Sequence, residues 1–77
     1  MATKILIVDD HPLVRQGLIG LLSTQDDFSV CGEASGIAEA QQVADAEHPD
    51  VAIIDITLED GSGIELIKDF HASFPDM

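Results

Sequence analysis

The fold is decided by two stretches of sequence, ILIVDD at residues 5–10 and VAIID at residues 51–55. Each is a short apolar run, rich in β-branched residues, that ends directly in aspartate. Such runs are typical of strands buried inside a parallel sheet. Because parallel strands end at the same edge of a sheet, we expect the side chains of Asp9, Asp10 and Asp55 in one crevice. Three carboxylates in one crevice repel one another unless a cation lies among them, so the sequence predicts a site for a hard divalent metal ion.

The rest of the chain alternates strands and helices, which predicts an α/β domain with a doubly wound parallel sheet in the order 2-1-3. Strands are expected over residues 4–8, 28–32 and 51–54. The third is the most apolar and is expected to be the most buried, and the second lies nearer an edge. Helices are expected from Pro12 to about residue 22, from Ser35-Gly36 to about residue 47, and from a cap at Ser62 to about residue 73. The predicted inner face of the first helix is Val14, Leu18, Leu21 and Leu22. That of the second is Ile37, Ala40, Val43 and Ala44, and that of the third is Leu66, Ile67, Phe70 and Phe74.

Composition narrows the class of protein further. Fifteen acidic residues stand against three basic ones in 77 residues, for a net charge of −12. This balance argues against nucleic-acid binding by this segment, since phosphate neutralisation needs Lys and Arg, and it argues against docking on anionic lipid. The single cysteine, Cys31, fits a reducing compartment and a buried structural thiol. No signal peptide or membrane span is recognisable, so a cytoplasmic protein without membrane contact is expected.

The acidic pair in ILIVDDHP, the aspartate that ends VAIID and Gly63 eight positions after it together resemble the receiver domain of bacterial two-component response regulators. The stretch DDHPLVR, residues 9–15, is most similar to the NarL/FixJ-type subfamily. The resemblance covers residues 1–77 and implies a flavodoxin-like fold truncated to three βα units. It implies a phosphoacceptor that receives a phosphoryl group from a sensor histidine kinase, not a turnover enzyme. It also implies a DNA-binding output domain that normally follows the receiver.

The resemblance assigns roles to individual residues. Asp55 would be the phosphoacceptor, and Asp10 would ligate Mg²⁺ together with it. Asp9 would hold the ion directly or through its water shell, and the backbone carbonyl of Thr57 would supply a further oxygen. Gly63 belongs to the loop that follows the third strand. Glu59 stands where the family commonly has proline, a departure that adds negative charge near the site.

Simpler interpretations compete with these roles. Asp9 or Asp10 could cap the first helix, and Asp55 could only form a turn. His11 is expected to point outward from the first helical turn and not to bind a ligand. A phosphatase of the haloacid dehalogenase type is disfavoured, since Asp55 has no second aspartate two positions later.

Three βα units are fewer than the five of the receiver fold. The third strand would then be an exposed apolar edge, which invites pairing with another chain. The alternative function is therefore a truncated receiver that acts as a dimerisation or interaction module without phosphotransfer, and a homodimer or a swapped assembly is expected.

Overall fold

The computed structural model describes residues 2–58 and 60–77. Three parallel strands form one sheet in the order β2-β1-β3, which confirms the predicted order. The elements in chain order are β1 (Thr3–Val8), α1 (Pro12–Ser23), β2 (Phe28–Ala34), α2 (Ile37–Glu47), β3 (Val51–Ile54) and α3 (Gly63–Ser73). β2 continues two residues beyond the expected end, because Glu33 and Ala34 pair with Ile7 and Val8 of β1. Among the residues described, no helix is long and apolar enough to cross a membrane.

The centre of the core is β1, whose residues Leu6, Ile7 and Val8 are completely buried. Leu6 and Val8 pack into the main cluster with residues of α2 and α3, whereas Ile7 points to the opposite face of the sheet. The expectation that the third strand is the most buried is wrong: Val51 of β3 is 43% exposed. The reason is position, since within the described part of the chain β1 has a hydrogen-bonded neighbour on both sides and β3 has only β1.

Helix α1 begins at Pro12 as expected, but none of its residues is buried. Leu18 and Leu22 are half-buried, whereas Val14 is 51% and Leu21 70% exposed, so the predicted inner face is only half right. Helix α1 contacts β1 and β2 but makes little contact with any other helix in the described part of the chain. A helix that packs against the sheet alone covers a narrow stripe of its own surface, and this leaves the flanking apolar residues exposed.

Helices α2 and α3 cover the other face of the sheet. The inner face of α2 is confirmed, with Ala40 and Ala44 buried. The cap of α3 is confirmed as well, because Ser62 Oγ accepts a hydrogen bond of 3.2 Å from the backbone N–H of Ile64. Leu66 and Phe70 are buried as expected, and Phe74 is half-buried. Ile67 is 46% exposed, against the prediction, because it lies beside the open edge of β3.

Candidate functional site

The site lies at the carboxyl edge of the sheet. Val8 is paired with Ile54, so Asp9 and Asp55 follow two neighbouring strands at the same level. One ligand atom from each of Asp9, Asp10, His11 and Asp55 can be chosen so that all lie within 4.8 Å of one another. The structure therefore brings the three predicted carboxylates together, and adds a histidine. This acidic cluster could hold a metal ion, and its predominance of carboxylate oxygen suits a hard divalent cation.

Asp55 is held by the loop that follows it. Its Oδ1 accepts hydrogen bonds from the backbone N–H of Thr57 at 2.9 Å and from Thr57 Oγ1 at 2.8 Å. The backbone N–H of Asp55 continues the sheet by donating to the carbonyl of Val8. These two bonds from Thr57, the backbone bond first, lower the pKa of the Asp55 carboxyl. Asp55 is thus ionised and fixed in orientation at neutral pH.

Asp9 is held by hydrogen bonds to its backbone N–H, its carbonyl and one carboxylate oxygen. Its backbone N–H donates to the carbonyl of Ala34 at 3.0 Å, and its carbonyl accepts from Arg15 Nη1 at 2.6 Å. Its carboxylate Oδ1 accepts from the backbone N–H of His11 at 2.8 Å. Arg15 also donates from Nε to Glu33, which ties α1 to β2 beside the site. The residue that caps α1 is His11, without a side-chain bond, so neither Asp9 nor Asp10 is the N-cap residue.

His11 is exposed, as expected for a residue that points outward, with 59% of its side chain accessible, but its ring nitrogen lies among the acids, which was not expected. Its Nδ1 is 2.7 Å from Asp9 Oδ1, 3.0 Å from Asp10 Oδ1 and 3.4 Å from Asp55 Oδ2. The hydrogen bond with Asp9 and then the charge of Asp10 raise the pKa of His11 above its usual 6.5. Sequence reasoning missed this because it judged His11 by its place in the helix. The informative signal was its place directly after two acids.

The remaining predicted residues follow β3, in the loop and, for Gly63, at the first residue of α3. Thr57 bonds Asp55 through its N–H and hydroxyl, which was not predicted, whereas the role of its carbonyl stays a prediction. Gly63 is buried where α3 begins, and its N–H donates to the carbonyl of Ile56 at 3.2 Å. A Cβ on Gly63 would lie 2.6 Å from Ile56 Cα and closer still to the carbonyl oxygen of Asp55. Only glycine allows α3 to start this close to the end of β3. Glu59 lies outside the described residues.

The fold and the site together define a class: a flavodoxin-like α/β domain with an acidic crevice, which could hold a metal ion, at the carboxyl ends of its strands. Comparison with known proteins makes this specific. The sequence model of the response regulator receiver domain matches residues 5–77. The chain belongs to the response regulator receiver family, and the predicted fold class is confirmed.

Relatives and solved structures agree with this family. The DNA-binding transcriptional activator DevR/DosR of Mycobacterium tuberculosis is 46% identical over 74 residues, which cover 96% of this chain and 34% of that protein. The response regulator domain of Thermotoga maritima CheB superposes with a TM-score of 0.91 at 32% identity, covering 97% of this chain and 56% of that one. A two-component response regulator of the LuxR family from Aurantimonas matches with a TM-score of 0.89 at 31% identity, covering 97% and 54%. The chain thus spans about a third of the curated relatives it matches.

Proposed function

We propose that this chain is a phosphoacceptor receiver in which Asp55 takes a phosphoryl group from a phosphohistidine of a sensor histidine kinase. The observation that carries the proposal is the convergence of Asp9, Asp10 and Asp55 at one sheet edge, with Asp55 held separately by Thr57. The relatives include transcriptional regulators, which supports a regulatory role for this chain and not turnover of an external substrate. The chain takes part in its own phosphorylation only.

The reaction transfers a phosphoryl group from a histidine nitrogen of the kinase to a carboxylate oxygen of this chain. A carboxylate oxygen of Asp55 forms a bond to phosphorus while the phosphorus–nitrogen bond of the phosphohistidine breaks, and the departing imidazole takes up a proton. Thr57 engages Oδ1 of Asp55, so we assign the attack to Oδ2, which faces the other acids and lies 3.4 Å from His11 Nδ1. The lowered pKa of Asp55 keeps the nucleophile ionised at neutral pH.

The residues present fit Mg²⁺. We propose that Asp10 and Asp55 bind the ion, with Asp9 contacting it directly or through water and the carbonyl of Thr57 as a further ligand. Asp10 suits this role because its side chain is only 10% exposed and lies against the crevice. When bound, Mg²⁺ neutralises charge on the acids and on the transferring phosphoryl group. Arg15 donates to the backbone carbonyl of Asp9 and to Glu33, so its charge is already engaged beside the cluster.

The experiment is intact-mass measurement after incubation with Mg²⁺ and acetyl phosphate, a small phosphodonor. We expect one phosphoryl adduct on the parent chain and none on Asp55→Asn, which keeps the size of the side chain and removes the nucleophile. Asp45→Asn, an exposed acid on α2, is the matched control and should label like the parent. Equal labelling of Asp55→Asn would refute the assignment of the acceptor.

We further propose that residues 1–77 are the N-terminal part of a receiver whose phosphorylation, in the cytoplasm, controls a DNA-binding output domain. The support is that DevR/DosR, named a DNA-binding transcriptional activator, is about three times as long as the stretch it shares with this chain. The charge of −12 supports the view that DNA binding belongs to other residues. Phosphorylation-dependent DNA binding by a protein that contains this chain is the test.

A second candidate function is association of two copies through β3, without phosphotransfer. The observation that favours it is the apolar edge: Val51 and Ile53 are 43% and 37% exposed, and a cavity of about 220 Å³ lies between β3 and Ile67 of α3. Unpaired strand edges of this kind template pairing with another chain. Sedimentation of the 77-residue chain should show a dimer, and a cooperatively folded monomer would contradict this proposal.

A further inference from the structure

The N-terminus of α2 is capped from a distant loop. The N-cap residue of this helix is Gly36, which has no side chain to accept hydrogen bonds from the first turn. The backbone N–H of Ile37 instead donates to Asp60 Oδ2 at 2.9 Å, across 23 positions of sequence. Asp60 lies between β3 and α3, in the same loop as Thr57. A carboxylate at a helix N-terminus is favourable both as an acceptor and through the helix dipole.

The two segments are fitted to each other on both sides of this bond. A Cβ on Gly36 would lie 2.6 Å from Asp60 Oδ2, and a Cβ on Gly61 would lie 2.5 Å from Ile37 Cδ1. Gly61 also has a φ of +154°, a conformation that other residues rarely adopt. Each segment therefore places a glycine where the other presents a side chain.

The same loop orients Asp55, the proposed phosphoacceptor. Its N-terminal part presents Thr57, whose N–H and hydroxyl hold Asp55 Oδ1, and its next residue, Leu58, is 6% exposed in the core. Its C-terminal end leads into Gly63, the first residue of α3, whose N–H donates to the carbonyl of Ile56. Among the described residues of this loop, Asp60 is the one whose side chain is hydrogen-bonded to α2, at the first residue of that helix. This bond fixes the loop relative to α2.

We propose that Asp60 is a positioning residue for the phosphoacceptor: by capping α2 it holds the loop in which Thr57 orients Asp55. The inference rests on the proposed function for its consequence, but the tie itself can be tested without any reaction. Removal of the carboxylate at position 60 should free the Ile37 N–H from its hydrogen bond. It should also weaken the bond from the Thr57 N–H to Asp55, although Asp60 contacts only Ile37 of these two donors.

The test compares Asp60→Ala, Asp60→Asn and the exposed control Asp45→Ala by amide NMR and hydrogen exchange, without Mg²⁺ or phosphodonor. Asp60→Ala should move the Ile37 amide resonance and speed exchange at Thr57 about five-fold, the factor expected for losing a typical helix cap. Asp60→Asn keeps an acceptor oxygen, so it should restore both signals. Asp45→Ala removes the same charge from the surface of α2 and should change neither.

Two results would overturn the proposal. If Asp60→Ala changes Ile37 but leaves exchange at Thr57 as in the parent, Asp60 caps the helix and does not position the loop. If Asp60→Asn behaves like Asp60→Ala, the acceptor oxygen is not what holds the two segments. Phosphoryl labelling is then measured on the same variants, and it should be about five-fold slower in Asp60→Ala alone. If even the parent forms no adduct, the proposed function is refuted, while the amide signals still decide the positioning role.

Discussion

Gly63→Ala tests the close approach between α3 and the end of β3. The added Cβ would lie 2.6 Å from Ile56 Cα and 2.8 Å from the carbonyl carbon of Asp55. Carbon atoms in contact are about 3.5–4 Å apart, so the two backbones have to separate by roughly 1 Å. Neither side of this contact is a flexible side-chain end, and relief therefore requires movement of the loop or of α3. Overpacking of this kind costs about 1–3 kcal/mol of the free energy of unfolding.

The chain contains a control that makes the same chemical change. Gly20 lies in the interior of α1, and a Cβ there would meet nothing within 4 Å. Alanine is favoured over glycine inside a helix by about 0.5–1 kcal/mol. Gly20→Ala should therefore stabilise the chain while Gly63→Ala destabilises it. The two variants should differ by roughly 1.5–4 kcal/mol, which is above the error of a denaturation experiment.

The assay is urea unfolding followed by far-ultraviolet circular dichroism, with the midpoint and slope fitted for the parent and both variants. Because the displaced atoms include the carbonyl of Asp55, Gly63→Ala should also slow phosphoryl labelling, whereas Gly20→Ala should leave it unchanged. A Gly63→Ala chain as stable as the parent would refute the steric argument. Destabilisation with normal labelling would show instead that the loop relaxes without moving Asp55.

Three further predictions concern the crevice. The hydrogen bond with Asp9 and the charge of Asp10 raise the pKa of His11 in the folded chain. In Mg²⁺-free buffer, protonation of His11 therefore stabilises the fold fully below pH 6.5, its usual pKa. This contribution is lost as the pH rises through the higher pKa of the folded state. Urea midpoints across this range should fall with pH in the parent and not in His11→Gln, and saturating Mg²⁺ should flatten the parent curve. Asp10→Ala should weaken Mg²⁺ binding at least ten-fold by calorimetry, a loss of about 1.4 kcal/mol or more, while the fold is retained; unchanged affinity would exclude Asp10 as a ligand. Arg15→Lys should broaden or shift the Asp9 amide resonance, since one ammonium cannot reproduce the separate Nε and Nη1 bonds to Glu33 and Asp9, and an unchanged spectrum would show that these bonds do not fix Asp9.

The fold was predictable from sequence because its signals are local. Apolar runs of four residues identified β1 and β3, and Pro12 and Ser62 marked where α1 and α3 begin. Burial was less predictable, because it depends on which neighbours an element has. The runs at residues 5–8 and 51–54 look alike in sequence, yet the first is central and buried while the second is an edge. Composition does not distinguish these two positions in a sheet.

The candidate site was predictable only in part for a related reason. The convergence of Asp9, Asp10 and Asp55 follows from strand parallelism, which the βα alternation indicated. The contacts of His11 and Arg15 depend instead on side-chain directions at the start of α1, and no periodicity reports these. The bond between Asp60 and Ile37 spans 23 positions and joins a loop to the first residue of α2, so it could be found only in the folded chain.

The two strand ends hold their aspartates in the same way. Asp9 Oδ1 accepts the backbone N–H of His11, and Asp55 Oδ1 accepts that of Thr57, in each case from two positions later. This local turn directs each carboxylate back over the end of its strand, towards the crevice, through a bond that depends only on neighbouring residues. The sheet then has only to align Val8 with Ile54 to set the two acids face to face. Since both carboxylates are oriented by backbone donors, a divalent ion can bind with little movement of the main chain, and the repulsion between the acids becomes a source of affinity for that ion.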